Sequence, residues 1–276
     1  MERITSPQNP KIKNLKRLEK ASERREQNLI LIEGLREIVL AHRAGYEIES
    51  LFVCEEIFSD SKEYPFKELK GTNQQFSISK IGYDSLAYRE TTEGIIATAK
   101  PKNHLLGNLL LKNNALILVI EAVEKPGNLG AMLRTCDAAG ADAVIICDAK
   151  TDVYNPNVIR SSIGTVFTNQ IAVCETKEAI EYLKKNNIIS YAAELSATKF
   201  HYEQNFKKAT AIVVGTEATG LSCEWLNAAD EKIKIPMLGE IDSLNVSVSA
   251  GILLFEARRQ TPKSPKGDFN TNTRNE

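Results

Sequence analysis

The chain has 276 residues, 42% hydrophobic and 26% charged, with a formal net charge of −1. That composition suits an ordinary globular protein of one large domain or two modest ones. It excludes a chain that is basic throughout, and no apolar run is long enough to span a bilayer.

In chain order, an Asn9-Pro10 turn leads into a basic amphipathic helix carrying Ile12, Leu15 and Leu18. From Arg3 to Arg25 the basic residues Arg3, Lys11, Lys13, Lys16, Arg17, Lys20, Arg24 and Arg25 face only Glu19 and Glu23. Such a patch binds phosphates even when total charge balances, although charge alone favours a solvated helix face. Asn28–Gly34 reads as a buried strand, and the next segment as a helix stopped by Gly45 at C′. "IESLFVCEE" reads as a strand, Ile78–Gly82 as another short one, and Gly94–Lys100 closes a compact α/β unit. Residues 101–114, with proline, glycine and asparagines, form the expected boundary.

Beyond it strands and helices alternate. "ALILVIEAV", "ADAVIIC", "TNQIAVC", "IISYAAEL", "TAIVVG" and "EKIKIPM" read as strands. "AMLRTCDAAG", "NPNVIRSSIG" with Asn155 as cap and Pro156 in the first turn, "TKEAIEYLKKNN" and "NVSVSAGILLFEARRQ" read as helices. Continuous apolar strands separated by helices predict an α/β fold, a mostly parallel sheet covered on both faces. The polar, proline-containing residues 261–276 read as a disordered tail.

The chemistry is narrowed by what is missing. The five cysteines, Cys54, Cys136, Cys147, Cys174 and Cys223, are scattered without C-x-x-C and read as reduced, mostly buried thiols. His42, His104 and His201 share no ligand spacing, so no metal is expected. G-x-S-x-G and Walker motifs are absent, and the first residues lack a signal peptide's apolar segment, which predicts a cytoplasmic protein.

Three loops at strand ends remain to be explained. "PGNLGAMLRT" offers Gly127 and Gly130 for close backbone approach, the Asn128 amide, and Arg134 as a fixed cation one turn into a helix. "VVGTEATGLS" sets Glu217 between Gly215 and Gly220. "IPMLGEIDSLNVSVSAG" brings Ser243, Asn245, Ser247 and Ser249 to a helix start. Each alone could be turns and caps. Together, at the strand ends where sheet enzymes hold ligands, they point to a site.

These three stretches, in this order, resemble the motifs of the SpoU/TrmH family of the knotted (SPOUT) methyltransferase superfamily, over about residues 116–259. "RSSIGTVF" (160–167) is similar to the family's intervening segment. "NLILIEGLREI" is similar to the RNA-substrate-binding domain often fused to it. The resemblance implies transfer of methyl from S-adenosyl-L-methionine to a ribose 2′-hydroxyl of RNA, with ribosomal RNA favoured. It implies a C-terminal trefoil knot preceded by a smaller α/β RNA-binding domain (1–100 before 114–260), and a homodimer. It also implies a cofactor lying against Gly215, Ile235, Met237 and Leu244, with Arg134 and Asn128 catalytic and Glu217, Ser243 and Asn245 supporting.

The chemistry fits, because such a transfer needs alignment and help with a proton rather than a metal. A guanidinium with pKa about 12.5–13.8 suits phosphate anchoring and oxyanion stabilisation better than proton removal. Since the 2′-hydroxyl distinguishes RNA from DNA, Lys13, Lys16, Arg17 and Arg134 become the expected RNA contacts. Transfer RNA as substrate, or a silent RNA-binding assembly factor, are the alternatives. A dinucleotide oxidoreductase is disfavoured because no G-x-G-x-x-G follows the first strand.

Overall fold

The computed structural model describes residues 2–58, 69, 72, 74–87, 93–216 and 219–261. The expected tail beyond Thr261 lies outside the described residues.

The N-terminal part builds a mixed five-stranded sheet from β1 (Glu2–Ile4), β2 (Ile30–Glu33), β3 (Ile48–Val53), β4 (Gln74–Ile78) and β5 (Ile95–Ala99), in the order β1-β4-β3-β5-β2. Helices α1 (Pro10–Arg17), α2 (Ala21–Gln27), α3 (Leu35–Arg43) and α4 (Lys80–Asp84) connect them. Asn9 caps α1 by accepting from the Lys11 amide, and Pro10 occupies the first turn, where a missing N–H costs nothing. Ile12, Leu15 and Leu18 are all buried, as their spacing predicts. Gly45 has φ +75° just past α3, the left-handed C′ position expected of it. The segment read as a strand at Ile78–Gly82 divides differently. The strand stops at Ile78, Ser79 caps, and its hydroxyl accepts from the Gly82 amide to begin α4.

The second part is a seven-stranded, wholly parallel sheet of β6 (Leu116–Glu121), β7 (Ala143–Cys147), β8 (Ile171–Cys174), β9 (Ile189–Ala193), β10 (Lys199–Phe200), β11 (Thr210–Val214) and β12 (Glu231–Lys234). Its order is β10-β12-β9-β11-β6-β7-β8. β6, β7 and β11 are buried at every residue, which is why they read as continuous apolar runs. The two-residue β10 and the three-residue β1 carry too little pattern to be read from sequence.

Helices α5 (Pro126–Ala139), α6 (Pro156–Ser161) and α9 (Val246–Gln260) cover one face; α7 (Thr176–Lys185) and α8 (Cys223–Ala228), with Trp225, cover the other. Arg258 ties α9 to α5: its Nε and Nη2 donate to the Ala139 and Gly140 carbonyls, each at 2.8 Å. Asn155 caps α6 and Pro156 opens it, as expected.

The two sheets are not separate bodies in their packing. One apolar cluster runs from Ile32 and Ile38 through Leu129 and Ile159 to Leu254. The "RSSIG" turn meets α3 closely: a Cβ on Gly164, whose φ is +84°, would lie 3.1 Å from Cα of Glu37. Tyr46 packs edge-on against Phe167, with ring centroids 5.0 Å apart.

Candidate active site

Because all seven strands are parallel, the loops after β6, β11 and β12 emerge along one edge, as their sequence positions predict. A cavity of about 340 Å³ opens at the ends of β9, β11 and β12. Gly215, Ile235, Met237, Leu244 and Ser243 line it, so five predicted residues from two loops converge. Its walls also include Glu194, Thr216, Ser249 and Leu253.

Gly215 is required there by space. A Cβ would stand 2.2 Å from the Gly220 carbonyl oxygen, because the loop folds back on itself through a Thr216–Gly220 bridge. Glu121 pins that loop from below. It is buried at the end of β6 and accepts from the Ser222 amide at 2.8 Å and the Thr176 hydroxyl at 3.1 Å. Neither Glu121 nor Glu194 was picked out by the sequence reading. The available signal for Glu121 was a carboxylate ending an apolar strand, where burial demands hydrogen-bonding partners.

Beside the cavity stands a pair of amides. Asn245 caps α9, its Oδ1 accepting from the Ser247 amide at 2.9 Å and the Ser247 hydroxyl at 2.6 Å. That fixes its Nδ2 as donor to Oδ1 of Asn128, at 3.3 Å. The flanking Leu244 and Val246 both line the cavity, so the cap and the site share one turn of chain.

The first motif departs from its expected form. It is no glycine loop: α5 begins at Pro126, and Gly127, Asn128 and Gly130 already lie in the helix. Gly130 serves packing between helices rather than ligand approach, since a Cβ there would fall 1.9 Å from Ser161 Oγ and 2.8 Å from the Val158 carbonyl. Arg134 is therefore the ninth helical residue, more than two turns in, and exposed. Six residues separate it from Asn128, which is about 9 Å of rise and 240° of turn. One copy of the chain does not bring Arg134 to the cavity wall. Glu217 lies outside the described residues.

In the basic patch, Lys13, Lys16 and Arg17 are exposed, and Arg17 pairs with Glu23 at 2.8 Å. Arg24 does not belong with them. It is buried and turned inward onto Asp152, in the loop between β7 and α6, because a guanidinium taken out of water needs a paired acceptor.

The donor set suits a cationic, partly apolar cofactor. The lining combines an acidic residue, Glu194, and the hydroxyl-bearing Thr216, Ser243 and Ser249 with the apolar Ile235, Met237, Leu244 and Leu253. Lys234, which also contributes to the wall, carries its ammonium over the Phe200 ring, 5.5 Å from the centroid. The volume lies within the range of small-molecule sites.

Comparison with known proteins gives a consistent family. The model of the SpoU rRNA Methylase family matches residues 115–255. That of the MRM3-like substrate binding domain matches residues 9–97. The 23S rRNA (guanosine(2553)-2′-O)-methyltransferase RlmP of Bacillus subtilis is 30% identical over 94% of this chain and 100% of its own length. A crystal structure of an RNA 2′-O ribose methyltransferase superposes with a TM-score of 0.84 at 40% identity, covering 94% of this chain and 99% of that one. An AdoMet-bound rRNA methyltransferase from Sinorhizobium meliloti does so with a TM-score of 0.84 at 26% identity, over 94% and 97%. With the cavity, the amide pair and both segments matched in order, the chain belongs to the SpoU rRNA methylase family.

Proposed function

We propose that this chain transfers the methyl group of S-adenosyl-L-methionine to a ribose 2′-hydroxyl of ribosomal RNA, with 23S rRNA the substrate its relatives favour. The observation that carries this reading is the cavity lined by the loops after β11 and β12, with the Asn128–Asn245 pair on its rim. The cofactor, when bound, supplies the electrophilic methyl group. Gly215, Ile235, Met237 and Leu244 hold it through backbone groups and apolar contact. Ser243, Asn245 and Asn128 present fixed hydrogen-bonding groups to the incoming ribose, with Glu217 a further supporting residue of the reaction. Arg134 anchors the neighbouring phosphate and stabilises charge developing on the 2′-oxygen.

Residues 1–100 act as the RNA-substrate-binding domain, gripping through Lys13, Lys16 and Arg17, and residues 114–260 as the methyltransferase domain. A trefoil knot in the C-terminal segment is supported by its course: Ile235, Met237, Ser243 and Leu244 share one cavity with the ends of β9 and β11 before α9 packs back on α5, β6 and β11. A homodimer is supported by Val248 and Phe255, one heptad apart on α9 and 49% and 52% exposed. A second copy laid on that face accounts for a catalytic arginine that is exposed and does not line its own cavity. No described helix is long and apolar enough to cross a membrane, and a ribosomal RNA substrate supports the reading of a cytoplasmic enzyme.

The test is to incubate the purified chain with labelled S-adenosylmethionine and unmodified ribosomal RNA, then map 2′-O-methyl marks by resistance to alkaline cleavage. A new mark that disappears in Arg134→Ala is expected. A protein that binds no S-adenosylmethionine sinks the proposal.

A further inference from the structure

The buried Arg24 is the one member of the basic stretch that cannot touch RNA, and its surroundings suggest a different task. Its Nη1 donates to the Leu18 and Glu19 carbonyls, both at 2.8 Å, closing the end of α1, the helix that carries Lys13 and Lys16. Its Nε, at 2.9 Å, and its Nη2 both donate to Oδ2 of Asp152, in the loop between β7 and α6. The other Asp152 oxygen accepts from the Tyr154 amide at 2.9 Å, and the Tyr154 hydroxyl meets that of Tyr46, between α3 and β3, at 3.0 Å, a second bridge back to the N-terminal part. Next to Asp152, the Thr151 hydroxyl donates to the Glu124 carbonyl. Glu124 stands two residues before Pro126, where α5 begins with Asn128 in its first turn. Hydrogen bonds and short covalent steps thus run from the basic helix, through Arg24, Asp152, Thr151 and Glu124, to the Asn128–Asn245 pair.

We propose that Arg24 and Asp152 form a latch that sets the basic helix in register with the methyl-transfer site; both are positioning residues. The inference rests on the RNA-methyltransferase reading above. Its physical basis is that one buried, planar guanidinium makes four donor contacts at once, two on the end of α1 and two on Asp152, and so fixes where the two meet. A misplacement far from the reacting atoms lowers the chemical rate without weakening binding. Loosening the latch leaves Lys13 and Lys16 free to hold RNA, and leaves the cavity intact. What it removes is the fraction of bound RNA whose ribose stands at the site.

The test compares wild type with R24M, D152N, the double variant R24M/D152N, and R24K, which keeps the charge but loses the planar fork. Asp152→Asn retains the acceptor for the Tyr154 amide. Affinities are measured for in vitro transcribed 23S rRNA and for S-adenosylmethionine, together with the single-turnover methylation rate at saturation of both. The rate is expected to fall about tenfold to a hundredfold in R24M and D152N, both affinities staying within about twofold, and the double variant no worse than either single one. R24K is expected between wild type and R24M. A saturated rate equal to wild type overturns the latch, as does a parallel loss of S-adenosylmethionine affinity or a multiplicative loss in the double variant. Spin labels at Lys13 and Lys177 give a readout independent of catalysis. Their distance distribution is expected to broaden in R24M and in R24K, and an unchanged distribution overturns the latch even if the wild type modifies no RNA. Should R24M not fold, R24K and D152N decide by the same criteria.

Discussion

Asn245 carries two separable tasks, and two substitutions pull them apart. Its Oδ1 caps α9 at the Ser247 amide, while its Nδ2 donates to Asn128. Asn245→Ala removes both. Loss of an N-cap costs about 1 kcal/mol, which for a chain of this size lowers Tm by roughly 2–4 °C. Asn245→Asp keeps the cap oxygen and adds negative charge at a helix N-terminus, worth about 0.3–1 kcal/mol in the stabilising direction. It has no amide to donate, and two facing oxygens replace the hydrogen bond. Losing one neutral bond of about 1.4 kcal/mol from the organised site is a tenfold fall in rate. Calorimetric melting and single-turnover methylation, run on both variants, read the two effects. The expected pattern is a lowered Tm for alanine alone and a lowered rate for both. Wild-type methylation by Asn245→Asp, or a Tm drop equal to that of alanine, refutes the division of labour.

Gly130→Ala sets a methyl group against Ser161 and the α6 backbone, and is expected to cost about 1–3 kcal/mol in chemical denaturation, with S-adenosylmethionine still bound by the fraction that folds. Burial depresses the His104 pKa; its Nδ1 faces the Ile171 carbonyl at 3.2 Å and its buried Nε2 has no partner among the described residues. The unfolded chain therefore takes up the proton first, so stability is intact above about pH 6.5 and falls as pH drops through the window below it. In His104→Leu that acid-side slope is expected to flatten in melts between pH 7 and 5. Lys13, Lys16 and Arg17 changed together to glutamate are expected to weaken RNA binding and flatten its salt slope by about 2–3, with Arg17 contributing least because Glu23 already holds it. Arg134→Ala is expected to lose about 3 kcal/mol of transition-state stabilisation, and Arg134→Lys to retain part of it, in single-turnover assays.

What could be read from the residues alone was whatever depends on local period and cap chemistry. The central strands β6, β7 and β11 announce themselves because both faces are buried, leaving no polar alternation to confuse them. Asn9-Pro10, Asn155-Pro156 and Gly45 mark their helix ends by chemistry that acts over three residues. The candidate site was legible as three polar stretches following strand ends, although the first of them is the start of α5, and four expected cofactor contacts do line one cavity. Nothing local, however, tells a glycine that contacts a ligand from one that admits a neighbouring helix. Gly130 looked like the first and is the second, because Ser161 comes from thirty-one residues away. Arg24 carries the same charge as Lys13 and Arg25, and only the approach of the loop between β7 and α6 turns it inward onto Asp152. Sequence determined the longer strands and helices and which loops gather at one edge. Tertiary structure decided which charges face water and which hold the two sheets together, because burial is a property of neighbours distant along the chain.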